Sequence, residues 1–317
     1  MKMNGNSTRP LYFILAAYFD TGLFRYLNFL IIISLYILIV CSNLFLIVVI
    51  CMNRSLHEPM YIFLCSLFVN ELYGSTGLFP LLLVQILSDV HTVSVPFCYL
   101  QIFCVYSYVC VEFFNLAIMS YDRYLAICCP LQYNTRMTNN KTATLIVVTW
   151  FCSFLVVFVT TFLSYSLELC GNIIDNLYCL NYSIVKLACS ETRANNIYGL
   201  FATFLTVFGA LILILYTYMK ILKVCFSGSK QTRQKAVSTC TPHLASLINF
   251  SFGVCFEILQ SRFDLKGVHS MLHIVLSLYF LTCQPLFNPV MYGLNMTKVR
   301  TICKSVLKFC RKVNQID

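Results

Sequence analysis

Two carboxylates and one acid–base–aromatic triplet stand out in this 317-residue chain as residues whose types and spacing could do chemistry. Asp122–Arg123–Tyr124 closes a long apolar run within "NLAIMSYDRYLAICCPLQY", residues 115–133. A fixed cation beside an acid at the end of an apolar helix makes an ion pair that can break and re-form, which suits a two-state element. The same triplet also suits a plain anchor, its long side chain snorkelling to the membrane edge. Glu71 and Glu112 lie inside apolar runs, Glu112 ten residues before Asp122, which is ~15 Å along a helix. An ionised carboxylate at that depth is expensive and must find a partner, yet no Lys or Arg lies in the core of any apolar run. Two acids at one depth can share a proton or a cation. One reading is a sodium ion held by Glu71, Glu112, Asn115 and Asn288; the other is a pair of protonated, hydrogen-bonded acids. The two Glu could also serve an intramembrane enzyme, but nothing else supports one: there is no Gly-rich phosphate loop, no metal-ligand cluster and no nucleophile–base arrangement.

The elements that must position these residues are membrane helices. The chain is 59% hydrophobic and 11% charged, whereas a soluble domain carries about 25% charged residues. Seven apolar stretches, at 27–52, 60–87, 97–121, 142–165, 196–219, 236–260 and 268–292, each exceed the ~20 residues that cross a bilayer as a helix. Helices satisfy their own backbone groups, as lipid demands. Alternating strand patterns and internal repeats are both absent, so neither a membrane barrel nor an inverted-repeat transporter is supported. The sequence therefore predicts an all-α, seven-transmembrane helix bundle. Fifteen Lys and Arg fall on the side after spans one, three, five and seven, and seven on the other. This bias places the N-terminus outside and the triplet at the cytoplasmic end of span three. The expected organisation is an extracellular segment 1–26, a helix domain 27–292 and a cytoplasmic segment 293–317. The first run is too long for a signal-peptide core and reads as a signal anchor.

Eighteen Cys are present. Fourteen fall in spans or on the cytoplasmic side, where thiols stay reduced or pack as small apolar groups. Cys98, Cys170, Cys179 and Cys189 remain outside and suggest two bridges with three possible pairings. Asn6 and Asn181 begin glycosylation sequons on the outer side, while those at Asn53, Asn140 and Asn295 face the cytoplasm and are expected to be silent.

Four stretches, "PMYIFLCSL" (59–67), "MSYDRYLAICCPLQY" (119–133), "KAVSTCTPHL" (235–244) and "PLFNPVMY" (285–292), resemble in order and wording the motifs of the odorant receptors, within the rhodopsin-like G-protein-coupled class. "VNELYGS" and "NFSFGVCFE" look more like the fish members than the mammalian ones. The resemblance implies a receptor without enzymatic activity or required cofactor, in the plasma membrane. It implies that a small odorant binds from outside and that a heterotrimeric, stimulatory olfactory-type G protein is activated inside, raising cyclic AMP. Nucleic acid is not an expected partner. Cys98–Cys179 and Cys170–Cys189 are the disulfides it implies. Arg123 would lie where the G protein docks, with Asp122, Tyr124, Lys235, His243, Asn288, Pro289 and Tyr292 as switch residues.

The resemblance also implies a ligand pocket in the outer halves of spans three, five, six and seven. Candidates are Val105, Tyr106, Val109 and Cys110 on span three, Phe256 and Glu257 on span six, and His269 or His273 on span seven. An acid in an apolar outer helix needs a reason, and Glu257 could meet a ligand amine or Arg262. Pro242 should loosen span six by removing a backbone bond. The Trp found on that span in many rhodopsin-like receptors is missing, and Ser251 or Phe252 lies about there. After span seven, Val299, Ile302, Cys303, Val306, Leu307 and Cys310 share a helical face, with Lys and Arg on much of the rest. This reads as a short amphipathic helix on the inner leaflet, with Cys303 and Cys310 as acylation candidates. Two other classes compete: a rhodopsin-like receptor for a small amine or peptide, and an ion-coupled transporter using Glu71 and Glu112.

Overall fold

A computed structural model describes residues 10–18, 24–227, 230–262 and 270–313, with backbone alone at Thr232, Lys235, Ser238, 260–262, 270–277, Phe280 and 306–313. Seven long helices follow one another: α1 (Phe24–Met52), α2 (Pro59–Leu87), α3 (Val95–Cys128), α4 (Asn139–Tyr165), α5 (Arg193–Ser227), α6 (Lys230–Arg262) and α7 (Ser270–Asn295). An eighth, α8, spans Thr297–Val313. Six of the seven are apolar enough over their described residues to cross a membrane, and the 26-residue α7 has the length to do so.

Local sequence sets the helix starts. Pro59 opens α2 and Pro96 lies in the first turn of α3, where a missing N–H costs nothing. Thr138 caps α4, its hydroxyl accepting from the Lys141 amide at 3.3 Å. Three helices outrun the apolar stretches that mark them. α3 continues through Cys128, α5 through Ser227, and α6 begins at Lys230. The stretch 220–235 between the fifth and sixth apolar runs is therefore helix throughout its described part. Polar residues can continue a helix into water once lipid has fixed its start, and hydropathy alone cannot see that continuation.

α3 is the axis of the bundle: 67% of its apolar window is buried, against 17% for α4, whose Phe151, Phe158 and Phe162 face outward. Packing forms three layers along it. The inner layer joins Leu46, Leu64, Met119, Leu125 and Tyr292. The middle one joins Tyr108, Phe113, Leu116, Ile214, Phe250 and Leu281. The outer layer joins Phe13, Ile102, Ile174 and Ile184 around the Cys98–Cys179 bridge.

That outer layer adds a feature the hydropathy pattern does not announce. β1 (Tyr12–Leu15) pairs antiparallel with β2 (Thr92–Ser94) and parallel with β3 (Ile173–Ile174). Along β1, Phe13 and Leu15 are buried while Tyr12 and Ile14 face out, the two-residue period of a strand. The all-helical bundle thus carries a small sheet over its extracellular end, and part of the N-terminal segment is a strand of it.

Candidate functional site

Three groups of residues lie along α3. The outermost borders a cavity of about 420 Å³. Val105, Tyr106, Val109 and Cys110 of α3 line it, with Val156, Val157 and Thr160 of α4. Thr203, Thr206 and Val207 of α5 and Val254, Glu257 and Ile258 of α6 complete the walls. Phe204–Phe208 form a π-helical turn in α5, so Thr206 and Val207 reach the cavity from a locally widened helix. The roof is the loop between α4 and α5, held at two points. Cys98 is bonded to Cys179, with Cα atoms 5.5 Å apart, and Gln101 accepts from the Cys179 amide at 2.9 Å. Cys170 is bonded to Cys189, and their amides close a loop by donating to the Leu187 and Glu168 carbonyls respectively.

Of the sequence candidates for this pocket, Val105, Tyr106, Val109, Cys110 and Glu257 share the cavity, whereas Phe256 is not among its lining residues. His269 and the side chains of His273 and Arg262 lie outside the described residues, as does Asn6. Asn181 lines the cavity too, its side-chain oxygen accepting from Ser164 at 2.6 Å. The α4 wall was not expected from the sequence, and no residue of span five was singled out, because Val, Thr and Ala carry no mark that separates cavity lining from packing.

The middle group is the buried polar cluster. Glu71, Glu112, Asn288, Gln284 and Asn70 are all fully buried. Glu71 accepts from Tyr108 at 2.9 Å and Asn288 at 2.5 Å. Glu112 accepts from Asn288 at 3.0 Å, Gln284 at 3.1 Å and Asn70 at 3.0 Å. Ser246 of α6 closes the ring by donating to Asn288 at 2.7 Å. The two acids thus meet through one amide, and α2, α3, α6 and α7 are joined there. Asn115 stands apart: its oxygen accepts from Ser66 at 3.3 Å, and Ser66 accepts from the single Trp, Trp150, at 3.1 Å. This donor set does not fit a sodium cage, which needs converging oxygens. Each of the four carboxylate oxygens already accepts an N–H or O–H. Asn115, one of the four expected ligands, is engaged elsewhere. Asn70, Tyr108, Ser246 and Gln284 are members the sequence did not mark; of these, Tyr108 and Gln284 each lie four residues before one it did single out, on the same helical face.

Phe250, not Ser251 or Phe252, occupies the middle of the bundle on α6. It is fully buried with its ring 5.8 Å from that of Tyr108 and 5.0 Å from that of Phe113. Phe252 is 57% exposed and meets Tyr279 edge-on. Two residues is more than half a helical turn, which separates the two faces.

At the cytoplasmic end, Asp122 is fully buried and paired with Arg123. Its second oxygen accepts from Tyr133 at 2.7 Å, a residue of the short helix Tyr133–Arg136 after α3. Burial, then the facing carboxylate, raise the Tyr133 phenol above its ordinary pKa, so it stays a donor. His243 is buried on α6 and spans two neighbours: one ring nitrogen is 2.8 Å from the Leu116 carbonyl, the other 2.8 Å from the Tyr218 hydroxyl. A carbonyl only accepts, so the first nitrogen carries the proton and Tyr218 donates to the second. Tyr292 is buried on α7, and its hydroxyl has no hydrogen-bond partner among the described residues. Tyr124 packs between the inner and middle layers. The side chains of Lys235 and Cys310 lie outside the described residues, while Val299, Ile302 and Cys303 of α8 face the inner layer.

Pro289 lies inside α7, as does Pro285. Lacking an N–H, Pro289 leaves the Pro285 carbonyl without its helical donor. Asn43 of α1 supplies one at 2.9 Å, a residue the sequence reading passed over.

Comparison with known proteins places this arrangement. The family model for olfactory receptors matches residues 32–311. Olfactory receptor 11A1 of Homo sapiens is 34% identical over 93% of this chain and 93% of its own length. Olfactory receptor 5M5 of Mus musculus is 32% identical over 94% and 93%. Squid rhodopsin, in its crystal structure, shares the fold with a TM-score of 0.75 at 16% identity, over 92% of this chain and 88% of its own. Motifs, helix order and these matches agree: the chain belongs to the olfactory receptor family, as a multi-pass, G-protein-coupled odorant receptor of the plasma membrane rather than an enzyme.

Proposed function

We propose that the odorant occupies the cavity bordered by α3–α6 and that the cytoplasmic ends of α3, α5 and α6 activate a heterotrimeric, stimulatory olfactory-type G protein, raising cyclic AMP. The observation that carries this reading is the run of α3. One helix carries Val105, Val109 and Cys110 in the cavity wall, Glu112 in the polar cluster and Asp122–Arg123 at the inner end. Cys110 and Asp122 are twelve residues apart, about 18 Å along the axis. A ligand that shifts α3 against α6 acts on the Leu116–His243–Tyr218 link and on the Ser246–Asn288 bond, and so biases the inner ends. The acid pair serves as a hydrogen-bonded lock and needs no cofactor.

The test is a pair of variants in cells that report cyclic AMP. Arg123→Ala should reach the surface and bind odorant but lose the response. Val109→Trp, which fills the cavity, should reach the surface and lose the response at the binding step. A full response in Arg123→Ala would reduce the triplet to a membrane anchor.

A further inference from the structure

Glu257 has no part in the lock or the switch. It lies in the cavity wall at 8% exposure, and among the described residues no cation or amide meets its carboxylate, only the Tyr178 phenol, which has one proton to offer. The other three buried carboxylates among those residues, Glu71, Glu112 and Asp122, all accept at least two side-chain hydrogen bonds. Tyr178 of the roof is the phenol beside Glu257. No Lys, Arg or His is among the residues lining the cavity, and Glu257 is the one acid there. Around it half of the lining residues are Val, Leu, Ile or Ala, with small neutral polar groups such as Asn195, Asn196 and Thr206 among the rest.

A carboxylate buried in an apolar wall is costly until a cation and its hydrogen bonds meet it. The unmet demand faces the cavity, so the group that meets it arrives with the ligand. We infer that the cavity selects a small organic amine. Its ammonium head pairs with Glu257, and its apolar body lies against Val105, Val109, Val207 and Val254. Ammonium and carboxylate together bring no net charge into the wall, and the ammonium N–H groups fill the acceptor sites left open. The volume, about 420 Å³, is that of a small-molecule pocket. The inference rests on reading the cavity as the odorant site and narrows it to one ligand chemistry.

The experiment compares straight-chain primary amines with alcohols of equal length, hexyl to nonyl, on the surface-expressed full-length receptor at neutral pH, reading cyclic AMP. Alkylamines carry a full positive charge there. Amines should be at least tenfold more potent than matched alcohols. Glu257→Gln should reduce amine potency tenfold or more and change any alcohol response less than threefold. Glu257→Asp, which keeps the charge, should retain most of the amine response. Equal loss for both series in Glu257→Gln, or no amine response from receptor shown to be at the surface, overturns the inference. The Val109→Trp variant separates the two readings. Alcohol responses that vanish in it keep the cavity as the odorant site while the amine preference fails. Responses that survive it place the odorant elsewhere.

Discussion

Tyr133 bears on the opening step of activation at the scale of single residues. Its hydroxyl and Arg123 divide the two oxygens of buried Asp122 between them. A hydrogen bond to a charged group is worth about 1.5–3 kcal/mol, so removing it should loosen the hold on Asp122 and Arg123. Tyr133→Phe is expected to raise ligand-independent cyclic AMP severalfold at matched surface level. An unchanged or lower basal level would show that the bond does not restrain the inner end. The acid pair gives a second residue-scale expectation. Since the four oxygens of Glu71 and Glu112 are met by N–H and O–H donors, basal activity at constant ionic strength should not change when sodium replaces a bulky organic cation. A sodium-dependent fall in basal activity that disappears in Glu112→Gln would restore the cation site. The two acids were legible in the sequence because a carboxylate in an apolar run is conspicuous. Their partners were not, because Asn70, Tyr108 and Gln284 are ordinary residues until helix phase turns them to one point.

Between helices, the bundle is joined by contacts that no motif announces. Gly74 is one: a Cβ there would collide with the Tyr108 ring, the ring whose hydroxyl holds Glu71. Small residues let membrane helices approach in this way. Asn43 is another. Its bond to the Pro285 carbonyl exists because Pro289 has no N–H to offer. Asn43→Leu should therefore destabilise the solubilised receptor by about 1–3 kcal/mol, the cost of an unmet buried carbonyl. Pro289→Ala restores the helical donor, so the double variant should lose less than the two single effects combined. Strictly additive losses in thermal unfolding would mean that Asn43 and Pro289 act separately. The spans themselves could be read to within a few residues from hydropathy. Their extensions at the inner ends of α3, α5 and α6 could not, nor could the sheet formed by β1, whose four residues carry too little pattern to separate a strand from a loop.

The whole molecule joins an outer cavity to an inner ion pair along one helix, with a buried lock between them. Its family and topology could be read from the motifs and the distribution of Lys and Arg, since both are written in local sequence. The cavity needed the structure, because its walls come from four helices and a disulfide-held loop brought together only by folding. The central claim is that occupancy of this cavity speeds nucleotide exchange at the Arg123 end. The direct measurement is exchange on a purified stimulatory olfactory-type G protein by purified receptor in lipid nanodiscs, with and without an odorant active in cells. The account predicts severalfold acceleration by odorant in the parent, no acceleration in Val109→Trp, and odorant binding without acceleration in Arg123→Ala. Undiminished odorant-driven exchange in both variants would contradict it.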